Sequence, residues 1–422
     1  MDAERAFDAR SPAADSPSRR LRIPALAAAV LLATATTSAP AAGQELADPG
    51  LTIYMQNTAL VRATVDRPIA DGEQTVRVDG LPANLQPTSL VVLDPEATLL
   101  GVHGRRTYQS AEEGNAVSLA LDLRVDRALD GLRIAFLTRG MSWSPSYSMV
   151  VASDDASARI DGYASVSNST GTSYEDAEIQ LLAGSVDVGG GGPSPMVMRE
   201  VRADGLMAAS APQVSQQAFS GYHLYDVDVP VALRAGASRR IRLLGAGSVP
   251  VSREYVLAGA VNHRRQQTGE PQRQEAYIRY RVERPEGTSF ADLPIPGGTV
   301  RMYRPDDQGR LQLLGVDAVP NTPAGEELLL TVGRAFDIGG TRIQTDWERA
   351  AEDVYESSWR IELVNRSDEA VVVRVIEALQ GDWEILSSSH DPQRLSAGRV
   401  RFDVSVQADG EATLTYEVRV ET

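Results

Sequence analysis

Trp143, Pro145 and Tyr147 stand at alternate positions. On a strand all three point to one face. Two flat rings on one face could stack on a sugar or a peptide, forming an aromatic binding platform. The same spacing also suits core aromatics at the entry of a sandwich strand. Asp226 and Asp228 alternate in the same way within Tyr222-His-Leu-Tyr-Asp-Val-Asp-Val-Pro230. Two carboxylates on one face are what acid–base hydrolysis of a glycosidic bond requires. Such pairs also occur as solvated strand or turn residues, and the same two readings apply to Asp154-Asp155 and Asp306-Asp307.

Other chemistry is excluded by residue type or spacing. His103, His223, His263 and His390 are too far apart in sequence for metal-ligand spacing, and no acidic run matches a calcium loop. Gly189 to Gly192 lacks the Gly-Lys-Ser/Thr ending of a phosphate cradle. There is no Gly-x-Ser-x-Gly elbow. The chain has no cysteine, and all 41 basic residues are arginine. Thiol nucleophiles, disulfides, thiolate metal sites and Schiff-base lysines are thereby ruled out. The sequence therefore assigns no catalytic residue, no metal and no cofactor. A net charge of −16 argues against nucleic acid and against an anionic membrane as partners.

The elements that must position these residues read as strands. A short unit occurs three times, at Ala70-Asp71-Gly72-Glu73, at Arg234-Ala235-Gly236-Ala237 and at Ala408-Asp409-Gly410-Glu411. Each is a glycine turn followed by an alternating strand and preceded by an extended stretch, which predicts a β-hairpin. A second echo links Asn168-Ser-Thr, sixteen residues before Gly184, to Asn365-Arg-Ser, sixteen residues before Gly381. It suggests two related sandwich units. Asn365 to Asp368 reads as a hairpin turn, and Asp306 to Gly309 as another. Trp347 to Val354 is the one stretch that reads as a short helix.

The fold class expected is all-β, in several antiparallel, immunoglobulin-like sandwich units. The chain divides into a leader at 1–43, an N-terminal β domain at 44–130, and a sandwich at 131–185 plus 221–258. A Gly-, Ala- and Met-rich linker at 186–220 interrupts that sandwich. A β-rich middle domain at 259–345 and a C-terminal sandwich at 346–422 follow. The leader carries Arg19, Arg20 and Arg22, then an apolar run from Ile23 to Thr34, then small residues through Ala42. That is the pattern of a secretory signal peptide cleaved between Ala41 and Gln44. It favours general secretion over twin-arginine export, to the periplasm or beyond the cell. No later segment is apolar enough to span a bilayer as a helix.

Several motifs occur in a fixed order. They are Gly140-Met-Ser-Trp143-Ser-Pro145-Ser-Tyr147, Asn168-Ser-Thr-Gly171, Leu181-Leu-Ala-Gly184 and Tyr222-His-Leu-Tyr225. Gly298-Thr-Val-Arg-Met-Tyr303, Val332-Gly-Arg-Ala-Phe336-Asp337 and Gly381-Asp382-Trp383-Glu384 follow. In this order the chain resembles the bacterial domain-of-unknown-function family 4139, the mucoidy-inhibitor-like proteins. It resembles a short form without their coiled-coil insertion. The resemblance implies an exported β-rich protein and supplies no catalytic residues. The leading functional expectation is a non-enzymatic module that binds an envelope protein or a surface glycan. The alternatives are a hydrolase of envelope polysaccharide or peptide and a structural spacer.

Overall fold

Alternating apolar residues fill the chain, and the strands they form pair mainly over long sequence distances. The structure is a computed structural model that describes residues 46–106, 116–186, 214–260, 262 and 265–421. The expected leader and residues 187–213 of the expected linker lie outside these.

The first strands are β1 (Leu46–Tyr54), β2 (Thr58–Val65), β3 (Gly72–Pro82), β4 (Val91–Val92), β5 (Ala97–Arg106) and β6 (Ala116–Val125). Then come β7 (Leu132–Arg139), β8 (Met141–Val151), β9 (Ser157–Asn168), β10 (Tyr174–Ala183), β11 (Val214–Phe219) and β12 (Tyr222–Val227). They are followed by β13 (Val231–Leu233), β14 (Ser238–Ala260), β15 (Gln272–Val282), β16 (Gly298–Pro305), β17 (Leu311–Val319) and β18 (Leu328–Arg349). The last are β19 (Val354–Asn365), β20 (Val371–Ala378), β21 (Asp382–Ser388), β22 (Gln393–Ser396), β23 (Arg399–Val406) and β24 (Gly410–Glu421). Among the described residues, Pro87–Ser89 is the only helical turn.

The protein is all-β. One sheet runs β11-β12-β10-β1-β2-β7-β4 with β13 beside β10, and a small sheet runs β3-β6-β5. The largest runs β17-β16-β8-β9-β14-β15-β18-β19-β24-β21, and β20, β23 and β22 branch from β14. Most pairs are antiparallel. β1 with β10, β8 with β16 and β14 with β20 are parallel.

The expected domain boundaries do not separate bodies. Positions 258 and 345 fall inside β14 and β18, which pass from one core into the next. The first core draws on both sides of position 130, from Leu51 and Leu121 to Trp143 and Leu243. All described residues belong to one compact unit. Residues 214–219, expected as the end of the linker, form β11. It makes a hairpin with β12 through Ser220-Gly221, both at positive φ. The stretch from Trp347 to Val354, expected as a short helix, instead finishes β18 at Arg349, turns, and opens β19 at Val354, with Trp347 opposite Ser357.

The turn at Asp306 to Gly309 does join a hairpin, β16 with β17. The three glycine turns do not. β2 pairs β1 and β7 while β3 pairs β6. β13 pairs β10 while β14 begins on β9. β23 pairs β20 and β22 while β24 pairs β19 and β21. Each turn is a crossover to a new set of partners. The stretch after Asn365 crosses over too, since β19 and β20 do not pair.

The asparagine echo explains two of these crossovers. Asn168 is buried, and its Nδ2 donates to the carbonyls of Thr172 at 2.8 Å and Leu233 at 3.0 Å. Its Oδ1 accepts from the amide and hydroxyl of Thr170. Asn365 repeats the arrangement, donating to Glu369 at 2.8 Å and to the β23 end at Val406 and Gln407. Its Oδ1 accepts from the amide and hydroxyl of Ser367. In each case the asparagine fastens the strand that enters the glycine turn. β8, β9, β10, β13 and β14 therefore correspond to β18, β19, β20, β23 and β24.

Candidate functional site

β14 changes partners along one edge. Its ladder with β9 ends at Pro250, opposite Ser157, and its ladder with β20 begins at Tyr255, opposite Val373. β15 covers the other edge from Val251 to Val256. Between the two ladders opens a cleft of about 620 Å³. Asp155, Arg253, Glu254, Tyr255, Arg374 and Asp403 line it, with the stretch from Glu369 to Val372 and Ser405.

Strand register supplies its charge. Glu254 is 4% exposed and lies directly opposite Arg279, with Arg281 two positions along β15. Arg374 reaches it from β20. Glu254 Oε2 accepts from Arg279 at 2.6 Å and 3.0 Å. Oε1 accepts from Arg281 at 2.8 Å and from Arg374. Burial pushes the Glu254 carboxyl up, but hydrogen bonds from Arg281 and Arg279 and the arginine charges outweigh it. The net effect holds the group below its usual range, so it stays ionised.

Asp155 is the second hub. It sits in the β8–β9 turn at φ 53°, a conformation that Asp tolerates. It accepts the Tyr280 hydroxyl at 2.7 Å and pairs with Arg253 at 2.9 Å and Arg304 at 3.4 Å. Burial first, then the bond to Asp155, pushes the Tyr280 phenol up, which keeps it a donor. Arg253 also lies 3.5 Å from Glu369. Arg374 and Arg401 lie 3.8 Å and 3.2 Å from Asp403. Six arginines (253, 279, 281, 304, 374 and 401) thus meet five carboxylates (155, 254, 327, 369 and 403). The network as a whole has one more arginine than carboxylates, while the cleft lining itself holds two arginines (253 and 374) and four carboxylates (155, 254, 369 and 403). The aromatic and aliphatic groups of Tyr255, Ala370, Val371 and Val372 line the cleft beside it.

The residues singled out from sequence lie elsewhere. Trp143 and Tyr147 do share one face of β8, but they are only 2% and 3% exposed and belong to two different cores. Trp143 Nε1 donates to the Leu182 carbonyl at 3.0 Å, and the Tyr147 hydroxyl to the Pro296 carbonyl at 2.7 Å. Buried rings offer no face for stacking, so the open aromatic platform is replaced by core packing. Asp226 is half-buried on the first sheet and accepts from Gln180 at 2.6 Å and Gln217 at 2.9 Å. β12 ends at Val227, so Asp228 falls in an exposed bend and is not carried on the same strand face. The two carboxylates are not brought together as a strand pair. Asp306 caps its own turn through the amides of Gln308 and Arg310.

Among the described residues no group of His, Asp and Glu could hold a metal ion. His103 meets Asp122 on the surface, and His223 contacts Gln216. His263 lies outside the described residues. The sequence reading missed Glu254, Arg279, Arg281 and Arg374. Their signal was present as charges at alternate positions inside Arg279-Tyr-Arg281 and beside Tyr255, stretches otherwise apolar. Only the pairing of β14, β15 and β20 shows that they converge.

The fold and the cleft define an all-β protein of two related strand units with an ion-pair cleft between two ladders of one strand. A family model described as a domain of unknown function, DUF4139, matches residues 132–422, and the chain belongs to that family. Every residue of the cleft lies within the matched span. No curated protein matches the chain.

Proposed function

We propose that this chain is an exported envelope protein that binds an acidic envelope component, a surface glycan or a protein, in the β14 cleft without cleaving it. The observation that carries the reading is the arginine-saturated carboxylate cluster at the break between two ladders. Arginine forks suit carboxylates and give geometric as well as electrostatic selectivity. Tyr255, Val371 and Val372 offer apolar contact beside them. Glu254 is poorly suited to act as a general acid, because that role at neutral pH needs a raised pKa and its own is lowered. The N-terminal pattern of arginines, apolar run and small residues supports export.

The test is a titration with a uronic-acid oligomer, polyglutamate and a neutral oligosaccharide of equal length. One of the acidic chains binds saturably, and binding weakens with added salt. Replacing both Arg253 and Arg374 by Ala lowers that affinity at least about tenfold, a loss of about 1.4 kcal/mol. Binding of the neutral chain alone, or no binding at all, rejects the reading.

A further inference from the structure

β14 carries an unpaired stretch of backbone into the cleft. On its cleft edge the Val251 amide donates to the Ala156 carbonyl at 3.0 Å. Backbone groups of a strand alternate between its two edges, so Arg253 turns its N–H and C=O to that same edge. The β9 ladder ends at Pro250 and the β20 ladder starts at Tyr255, so neither reaches them. β15 pairs the opposite edge. β20 has an open end facing this stretch. Tyr255 faces Val373, so carried back two residues the register would set Val371 opposite Arg253. The cleft separates the two instead, and both line it. The break is thus a fork with strand backbone on either side.

Strand backbone left open is a template for another extended chain. A peptide repeats N–H and C=O at strand spacing, and a sugar chain does not. Tyr255 and the 48% exposed Val372 border the fork and suit alternate apolar side chains. Arg253 and Arg374 stand on its walls. The four cleft carboxylates are each already on an arginine. Glu369 is the most exposed of them, at 73%, and lies 3.5 Å from Arg253. A ligand carboxylate takes its place with little loss, because exposed ion pairs are weak. We propose, resting on the reading of the cleft as an acidic-ligand site, that its ligand is a protein segment: an acidic peptide held extended between β14 and β20, its backbone paired with that of Arg253 and its carboxylates on the Arg253 and Arg374 guanidinium groups. Main-chain hydrogen bonds then give affinity, and the alternating side chains give selectivity. A glycan would use the guanidinium groups and leave the fork open.

The test titrates the full chain with acidic oligomers of equal length at one ionic strength: α-linked polyglutamate, γ-linked polyglutamate and a uronic-acid oligomer. All carry one carboxylate per unit, but only the α-linked chain has the backbone of a strand. A fourth probe is α-linked polyglutamate N-methylated at every second residue, which removes the donors along one strand edge in any register. The α-linked chain is expected to bind at least about tenfold more tightly than the γ-linked and uronic-acid chains, and N-methylation to cost it at least about tenfold. Binding of the γ-linked or uronic-acid chain as tight as that of the α-linked chain overturns the peptide assignment and leaves an acidic-ligand cleft in place. So does α-linked binding that N-methylation does not weaken. Binding of none of the four rejects the reading of the cleft itself, and the peptide assignment with it.

Discussion

Glu254 and Glu377 both face arginine near β14, yet they lie in different surroundings. Glu254 sits on β14 at the cleft and receives three guanidinium groups. Glu377 sits on β20 opposite Gly259 and is fully buried, with Arg342 of β18 at 2.6 Å. Arg342 itself lies against Gly259, where an added Cβ would overlap its guanidinium. Burial pushes the Glu377 carboxyl up, and Arg342 only partly opposes this. At Glu254 the arginines win and the carboxyl is lowered. The difference shows that the number of charged donors and access to water, rather than the presence of a partner, decide what a carboxylate does. The cleft carboxylate organises several arginines at a surface. The core carboxylate joins β18 to β20 and is costly if left alone.

The largest expected effect comes from breaking the core pair. Arg342→Met leaves Glu377 buried and uncompensated, and lowers unfolding stability by about 3–5 kcal/mol in a urea titration. The double change Arg342→Met with Glu377→Leu restores most of that loss, because well-packed apolar residues can replace a buried pair. Gly259→Ala comes next. It crowds Arg342 off Glu377 and costs about 1–3 kcal/mol by the same assay. Arg374→Ala costs about 1 kcal/mol, because Arg279 and Arg281 remain on Glu254.

The finest test is pH dependence, where the two groups act with opposite sign. The folded Glu254 value lies below the ordinary 4.5, so its contribution is present above 4.5 and lost as pH falls through the folded value. The folded Glu377 value lies above 4.5, so its contribution is present below 4.5 and lost as pH rises through the folded value. Relative to the wild type, Glu377→Gln therefore gains stability as pH rises from 4.5 towards the folded Glu377 value, while Glu254→Gln loses stability as pH rises from the folded Glu254 value towards 4.5. Parallel slopes for the two variants would remove the contrast.

Local pattern carried much of this architecture. Alternation made nearly every strand visible, and the Asn168 and Asn365 echo marked two real copies of one buried side-chain staple. Pairing was less visible, because a glycine turn before an alternating strand reads the same whether the chain folds back or crosses over. At Gly72 and Gly236 the positive φ serves a crossover, and in the third copy Asp409 takes that conformation. The Trp347 stretch looked helical because Glu348, Arg349 and two alanines favour helix, but its register with β19 outweighed that preference. The cleft was the least legible feature. Glu254 and Arg281 belong to no sequence motif, and they converge only because β14 leaves β9 and takes up β20 beside β15.

An acidic ligand seated at the β14 break, as proposed, would shield the backbone amides beside it. Hydrogen exchange of backbone amides, with and without the uronic-acid oligomer or polyglutamate, tests this most directly. The expected result is slowed exchange at Val251 to Glu254 and at Val371 to Arg374, lost when Arg253 and Arg374 are both Ala. Protection confined to other strands, or protection that survives the double substitution, would contradict it.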